Sequence, residues 1–222
     1  MPLDRPVIAI LGGTGKEGTG LALRWAAAGY RVVIGSRSED KAARVAEEIN
    51  QRLGVKSVSG RENSSAAREA DICVLTVVYS AHMEAVEAIK GALKGKIFVD
   101  ATSRVDYRNP LPPEPPSAAE IAQQSLGPDV RVVAAFQNIP ARLLAKGVGQ
   151  KLEAEVLACS DDVQAAEQVI QLAEGAGMRG YYAGRLTNAT IVEGLTCLLI
   201  SLNKYYGIKD AGIMITGMTK NG

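Results

Sequence analysis

Val7-Ile8-Ala9-Ile10-Leu11-Gly12-Gly13-Thr14-Gly15-Lys16-Glu17-Gly18 decides the fold of this chain. Its first part is an unbroken β-branched and aliphatic run closed by glycines. That composition suits a strand buried on both faces of a parallel sheet. Its second part, Gly13 to Gly18, is a G-x-G-x-x-G that follows the strand and opens a helix, the context in which the pattern becomes specific for dinucleotides. Gly13 is expected to allow the tight turn, Gly15 to let the backbone approach a pyrophosphate, and Gly18 to let helix and strand pack closely. The helix N-terminus adds free N–H groups and partial positive charge for the phosphates.

One step outward, the end of the next strand selects the cofactor. NAD-binding units place Asp or Glu there to hold the ribose hydroxyls. Here the sequence is Gly35-Ser36-Arg37, with Lys41 following. A carboxylate is missing and two cations are present. Arg37 suits stacking on adenine and pairing with a 2′-phosphate, Ser36 offers a hydroxyl and Lys41 a second charge. The expected cofactor is therefore NADP.

Further outward, apolar runs alternate with amphipathic stretches. Strands are expected at 7–11, 31–34, 56–59, 72–78, 97–100, 130–135 and 155–158. Helices are expected at 18–28, 39–53, 64–69, 81–93, 118–125, 163–175 and 187–206. Gly29 and Gly207 are placed to end their helices, and Asn188 to cap the last one. Strands and helices alternating in this way make βαβ units, hence an α/β, doubly wound Rossmann-type parallel sheet. A dinucleotide-binding domain at 1–145 and a small, mainly helical C-terminal lobe at 146–222 are expected, the lobe forming part of the substrate cleft. The broad apolar face of 187–206 suits packing on the Rossmann domain, a homodimer interface, or both. The proline-rich 109–117 stretch (NPLPPEPPS) reads as a stiff loop or as a rim over the site.

Composition excludes several classes. The 222 residues carry a formal charge of +1, and no basic stripe points to nucleic acid or to an anionic membrane surface. Cys73, Cys159 and Cys197 are widely spaced, which suits buried thiols in a reducing cytoplasm rather than a disulfide scaffold. The N-terminal apolar run is too short for a secretory signal, and no stretch was found to match a bilayer span. His82 is the single histidine; no acid or cysteine cluster near it has metal-ligand spacing, and a place on the surface at a helix start is expected.

With GGTG (12–15), GLALR (20–24) and GSR (35–37) in place, the chain resembles the F420-dependent NADP oxidoreductase family. Further matches are Leu75-Thr76, SAAE (117–120), IPA (139–141) and VEGLT (192–196). The resemblance spans essentially the whole chain. It implies hydride transfer between NADP(H) and the deazaflavin coenzyme F420, with the two rings stacked in a cleft and the cofactors supplying the chemistry. It further implies that Thr14, Gly15, Lys16 and Glu17 hold the pyrophosphate, that Ser36, Arg37 and Lys41 hold the 2′-phosphate, and that Thr76, Tyr79 and Ala141 line the nicotinamide half. The family pattern has Pro-Trp where this chain has Val78-Tyr79, and His where it has Gln137. Gln137, Ile139 and Pro140, which follow the last sheet strand, and Thr102 and Ser103 are the candidate substrate contacts. Gln137 and Tyr79 are taken as positioning residues. Two other readings share this fold: a reductase of another flat or imine-bearing substrate such as a pterin, and a non-catalytic NADP-binding sensor.

Overall fold

A computed structural model describes residues 5–218 of the chain. The elements in order are β1 (Ile8–Leu11), α1 (Lys16–Ala27), β2 (Val32–Ser36), α2 (Glu39–Leu53), β3 (Val58–Glu62), α3 (Asn63–Glu69), β4 (Ile72–Leu75), α4 (His82–Ile89), β5 (Ile97–Asp100), α5 (Ala118–Leu126), β6 (Arg131–Ala134), α6 (Ala141–Leu144), β7 (Glu155–Ala158), α7 (Val163–Gly175), β8 (Arg179–Tyr182) and α8 (Ala189–Tyr206). Short 3₁₀ turns precede α4, follow it, and precede α8.

Six strands form one parallel sheet in the order β3-β2-β1-β4-β5-β6, and β7 and β8 form a parallel pair. Each central strand is buried along its full length, which explains the continuous apolar runs. Its side chains alternate. Ile8 and Ile10 face a core shared with α1, α2 and α7, while Ala9 and Leu11 face one shared with α3, α4, α5 and the start of α8. Helices on both faces are what a doubly wound sheet requires.

The C-terminal elements are tied to this sheet at three places. Ala134 at the end of β6 exchanges two backbone hydrogen bonds with Cys159, each 2.9 Å. The indole N–H of buried Trp25 donates to the Leu172 carbonyl at 2.8 Å. Arg24, 2% exposed, meets no carboxylate among the described residues: it donates to the carbonyls of Leu144, Lys146, Gln150 and Ala176 at 2.6–3.0 Å. The GLALR stretch thus fastens α1 to the segment after α6. A single apolar cluster runs from β1 through α1 to Val156, Val169 and Met178.

Several element ends differ from the sequence reading. The strand expected at 72–78 leaves the sheet after Leu75, and residues 76–80 instead form a wall of the cleft. The helix expected at 81–93 is a helix only from His82 to Ile89, with 3₁₀ turns on both sides. Asn188 does occupy the position before α8, but its side chain caps nothing; its amide donates to the Ala183 carbonyl at 2.8 Å. Leu186–Tyr206 is long and apolar enough, by length and composition, to cross a membrane, a test that core helices of soluble proteins also pass. The sequence reading had found no such segment. Its Glu193 is fully buried against the protein.

Candidate functional site

The β1–α1 turn is built by close approach. Gly12 has φ +69°, a conformation that L side chains rarely adopt, so the positive-φ turn falls one residue before the Gly13 expected from the motif. A Cβ on Gly18 would lie 2.5 Å from the Gly13 Cα, whereas a Cβ on Gly15 would meet nothing within 4 Å. Gly18 is therefore fixed by packing, and Gly15 presents bare backbone to open space. The turn is held from outside by Asn63, whose Oδ1 accepts from Gly12 N–H at 3.1 Å, a support the sequence reading missed. Gly13 N–H donates to the Gly35 carbonyl at 3.0 Å, which brings Ser36 at the end of β2 beside the turn. Arg37 and Lys41 are exposed, and neither makes a side-chain hydrogen bond or ion pair among the described residues.

The turn opens on a cleft of about 940 Å³ at the carboxyl ends of the strands, where ligands of open α/β sheets bind. Gly15, Lys16 and Glu17 form one end of it. Thr76 and Tyr79 line it after β4, Ser103 after β5, and Gln137, Ile139, Pro140 and Ala141 after β6. The far wall comes from α8 through Thr196, Leu199 and Ile200. Thr102 is not on the wall. It is 2% exposed, and its N–H donates to Asp100 Oδ1 at 2.9 Å. Gly13 and Thr14, in the β1–α1 turn, are not among the cleft-lining residues, and Ser36, Arg37 and Lys41 lie outside the cleft at and after the end of β2. The rim is formed by residues 104–107 and not by the proline-rich stretch; 109–117 is an extended loop running to the N-cap of α5.

Around the cleft several family-matching motifs meet. Ser117 and Glu120 form a reciprocal capping box on α5. Glu193 of α8 reaches across to the same helix start, accepting from Ala118 N–H at 2.7 Å and from the Arg104 backbone N–H and Nε at 3.3 and 3.4 Å. Burial pushes the Glu193 carboxyl up, against these hydrogen bonds and the Arg104 charge. Thr196 one turn later donates to the Gln137 carbonyl at 2.9 Å and pairs with Ser103 at 3.2 Å. SAAE, VEGLT and the residues after β6 thus form one connected frame. The Phe136 backbone is at φ +77°, a strained conformation for a bulky residue, worth about 1–3 kcal/mol. It lies immediately before Gln137, and its buried ring packs edge-on against Trp25 at 5.9 Å.

His82 corrects the sequence reading. It is not on the helix surface. It is fully buried, and its Nε2 lies 2.6 Å from Asp100 Oδ2. A buried carboxylate at the end of an apolar strand needs a partner, and the first turn of α4 supplies one. Asp100 was the available signal: an acid ending the run Ile97–Asp100. Tyr79 stacks over the imidazole at 6.0 Å, and Arg104 lies over the Tyr79 ring at 5.9 Å. The pair therefore supports the cleft wall from behind. Glu17, at the pyrophosphate end, is desolvated and faces the Asp100 charge, which together push its carboxyl up from 4.5 to about 8. A neutral carboxyl at that place does not repel a phosphate.

Sheet order, glycine turn and cleft position together define a Rossmann-type dinucleotide-binding protein. Residues 7–104 match the family model described as NADP oxidoreductase, coenzyme F420-dependent. The chain is 41% identical to the F420-dependent NADP reductase of Methanothermobacter marburgensis, over 95% of this chain and 98% of that one. It is 39% identical to the F420-dependent NADP reductase of Methanocaldococcus jannaschii, again over 95% and 98%. This chain belongs to the F420-dependent NADP reductase family. A crystal structure from Arthrobacter sp. fb24, described as a candidate F420-dependent NADP-reductase, superposes with a TM-score of 0.79 at 26% identity, covering 96% of this chain and 100% of that one.

Proposed function

We propose that the protein transfers a hydride between NADP(H) and F420, with the nicotinamide and deazaflavin held face to face in the cleft. The observation that carries this reading is the continuous cleft itself. It runs from the bare Gly15 backbone, past Thr76 and Tyr79, to Gln137 and α8, inside a chain that aligns end to end with reductases of that name. The two bound rings supply the hydride chemistry, and the protein binds, orients and excludes water.

In this reading Gly13, Thr14, Gly15, Lys16 and Glu17 hold the pyrophosphate. Ser36, Arg37 and Lys41 hold the 2′-phosphate; the exposed Arg37 and Lys41 cations, without a side-chain partner among the described residues, favour NADP over NAD. Tyr79, Thr76 and Ala141 bear on the nicotinamide. Gln137, Ile139, Pro140 and Ser103 bear on the second ring, and Thr102 acts through Asp100. The lobe at 146–222 supplies the α8 wall and, through the outer face of α8, the contact with a second copy of the chain. Buried, unpaired Cys73, Cys159 and Cys197 suit a reducing, cytoplasmic setting.

The test is to mix purified protein, NADPH and oxidised F420 and follow the absorbance of both. Exchange is the expected result. Tight NADPH binding with no transfer to F420 would overturn the assignment, and a pterin would then be the next acceptor to try.

A further inference from the structure

Two carboxylates with no exposed surface stand behind the cleft, Asp100 at the end of β5 and Glu193 on α8. A buried carboxylate needs a basic partner or hydrogen-bond donors. Each of these has one basic side chain. His82 Nε2, from α4, lies 2.6 Å from Asp100 Oδ2, and Arg104 Nε, from the rim, lies 3.4 Å from Glu193 Oε2. The two pairs come from separate parts of the chain, yet both basic groups meet the same ring. The His82 imidazole stacks on Tyr79 at 6.0 Å with the planes 29° apart, and Arg104 Cζ lies over the Tyr79 ring at 5.9 Å, within cation–π range.

Tyr79 has little support of its own. Its segment, the 3₁₀ turn Tyr79–Ala81, contains no buried residue, and Tyr79 is 42% exposed on the cleft wall. A ligand that packs on a loose side chain must first immobilise it, at a cost in affinity. Here the two basic neighbours do so beforehand, and both are themselves fixed. The Asp100 carboxylate that meets His82 is held at its other oxygen by Thr102 N–H at 2.9 Å. Arg104 also donates through Nη2 to the Glu114 carbonyl, and Glu193 is fixed by Ala118 N–H at 2.7 Å, at the start of α5.

We propose that Arg104 and His82 are positioning residues that set the Tyr79 ring for the nicotinamide, Arg104 anchored by Glu193 and His82 by Asp100. The proposal rests on the reading of the cleft in which Tyr79 bears on the nicotinamide. It gives Arg104 and Glu193, on the rim and on α8, a part in cofactor binding that they play through Tyr79 and not by touching the cofactor. The affinity for the ring half of the dinucleotide then depends on these residues, and the affinity for its phosphate half does not.

The experiment measures equilibrium binding to the full chain of NADPH and of 2′-phospho-ADP-ribose, which carries the same phosphates but no nicotinamide. It is run on the wild type, on Tyr79→Leu, Arg104→Met, Arg104→Lys and His82→Gln, and on Arg104→Met combined with Tyr79→Leu. Tyr79→Leu is expected to weaken NADPH about tenfold, and Arg104→Met and His82→Gln about threefold to tenfold each. All three should bind 2′-phospho-ADP-ribose as the wild type does. Arg104→Lys keeps a cation beside Glu193 and should retain most of the NADPH affinity. In the Tyr79→Leu background, Arg104→Met should cause no further loss, because its effect passes through the ring. A merely structural role for Arg104 would weaken both ligands and would persist without Tyr79, and that result overturns the proposal. Normal NADPH binding by Tyr79→Leu overturns it as well. Arg104 lies on the rim, so its two variants decide the matter even where His82→Gln does not fold. No hydride acceptor is present, so failure to reduce F420 would remove the hydride-transfer reading and leave this result standing.

Discussion

Arg37 is the residue on which cofactor choice turns. Its guanidinium is exposed just after β2, beside the glycine turn, with no side-chain partner among the described residues. A charged hydrogen bond is worth about 1.5–3 kcal/mol, so Arg37→Ala is expected to weaken NADPH binding about tenfold to a hundredfold and to leave NADH almost unchanged. Equal losses for both dinucleotides in a titration would show that Arg37 supports the loop and does not read the phosphate. Glu17 gives a pH signature. Its carboxyl titrates near 8 in the folded protein against an ordinary 4.5, so it is neutral at neutral pH. The stability it contributes is complete below about 4.5 and is lost as the pH rises through about 8. Ionisation also sets a negative charge beside the pyrophosphate. NADPH affinity should therefore hold steady up to about pH 8 and then decline by up to about tenfold per pH unit, and Glu17→Gln should abolish the decline. A wild-type profile that is flat to pH 9.5 would contradict this. At this scale the sequence was most legible where a residue's role is fixed by its neighbours in the chain. Gly18, whose close packing on the Gly13 backbone the motif dictates, is an example. It was least legible where the partner is distant. Arg24 finds its carbonyls more than a hundred positions away, Asn63 supports a turn on another strand, and His82 meets an acid across the β4–β5 crossover. None of these pairings leaves a periodic trace.

At the scale of elements, the glycine turn makes a paired prediction. Gly15→Val places its side chain in open space, so the protein should fold with an unaltered circular dichroism spectrum and lose NADPH binding. Gly18→Val drives a Cβ into the Gly13 backbone and should lower the melting temperature sharply. Near-normal NADPH affinity in folded Gly15→Val would remove the turn from the binding site. Elements with strong period and clear ends were readable to the residue: α2 at Glu39–Leu53, β5 at Ile97–Asp100, β7 at Glu155–Ala158 and α7 at Val163–Gly175. The failures have physical causes. Val77 and Val78 extend the apolar run of β4, yet the chain turns away there to line the cleft, so composition overstates the strand. Gly91 loosens the end of α4 into a 3₁₀ turn. β8 (Arg179–Tyr182) went unseen because its side chains are largely half-exposed or exposed, which removes the apolar signal.

At the scale of the whole molecule, the outer face of α8 carries a stripe of Ile191, Leu198 and Tyr205 that are 66%, 53% and 83% exposed. Their spacing places them on one side of the helix. Two copies packed through this stripe would bury it, and Leu198→Glu should shift sedimentation from dimer to monomer without changing helix content. A wild type that sediments as a monomer at micromolar concentration would dismiss the dimer. The inner face of the same helix is already committed through Glu193 and Thr196, so a dimer formed through the outer face would share one element with the cleft. The seat of that C-terminal region has another consequence. Among the described residues, Arg24 holds it through main-chain carbonyls, and a carbonyl is the same whichever residue bears it. The anchor is therefore indifferent to mutation in the segment it grips, provided the path of the chain is kept. Natural drift or laboratory libraries can rewrite the exposed Lys146 and Gln150 around a joint that does not register the change, while buried Leu144 and the positive-φ Gly147 and Gly149 keep the path of the chain.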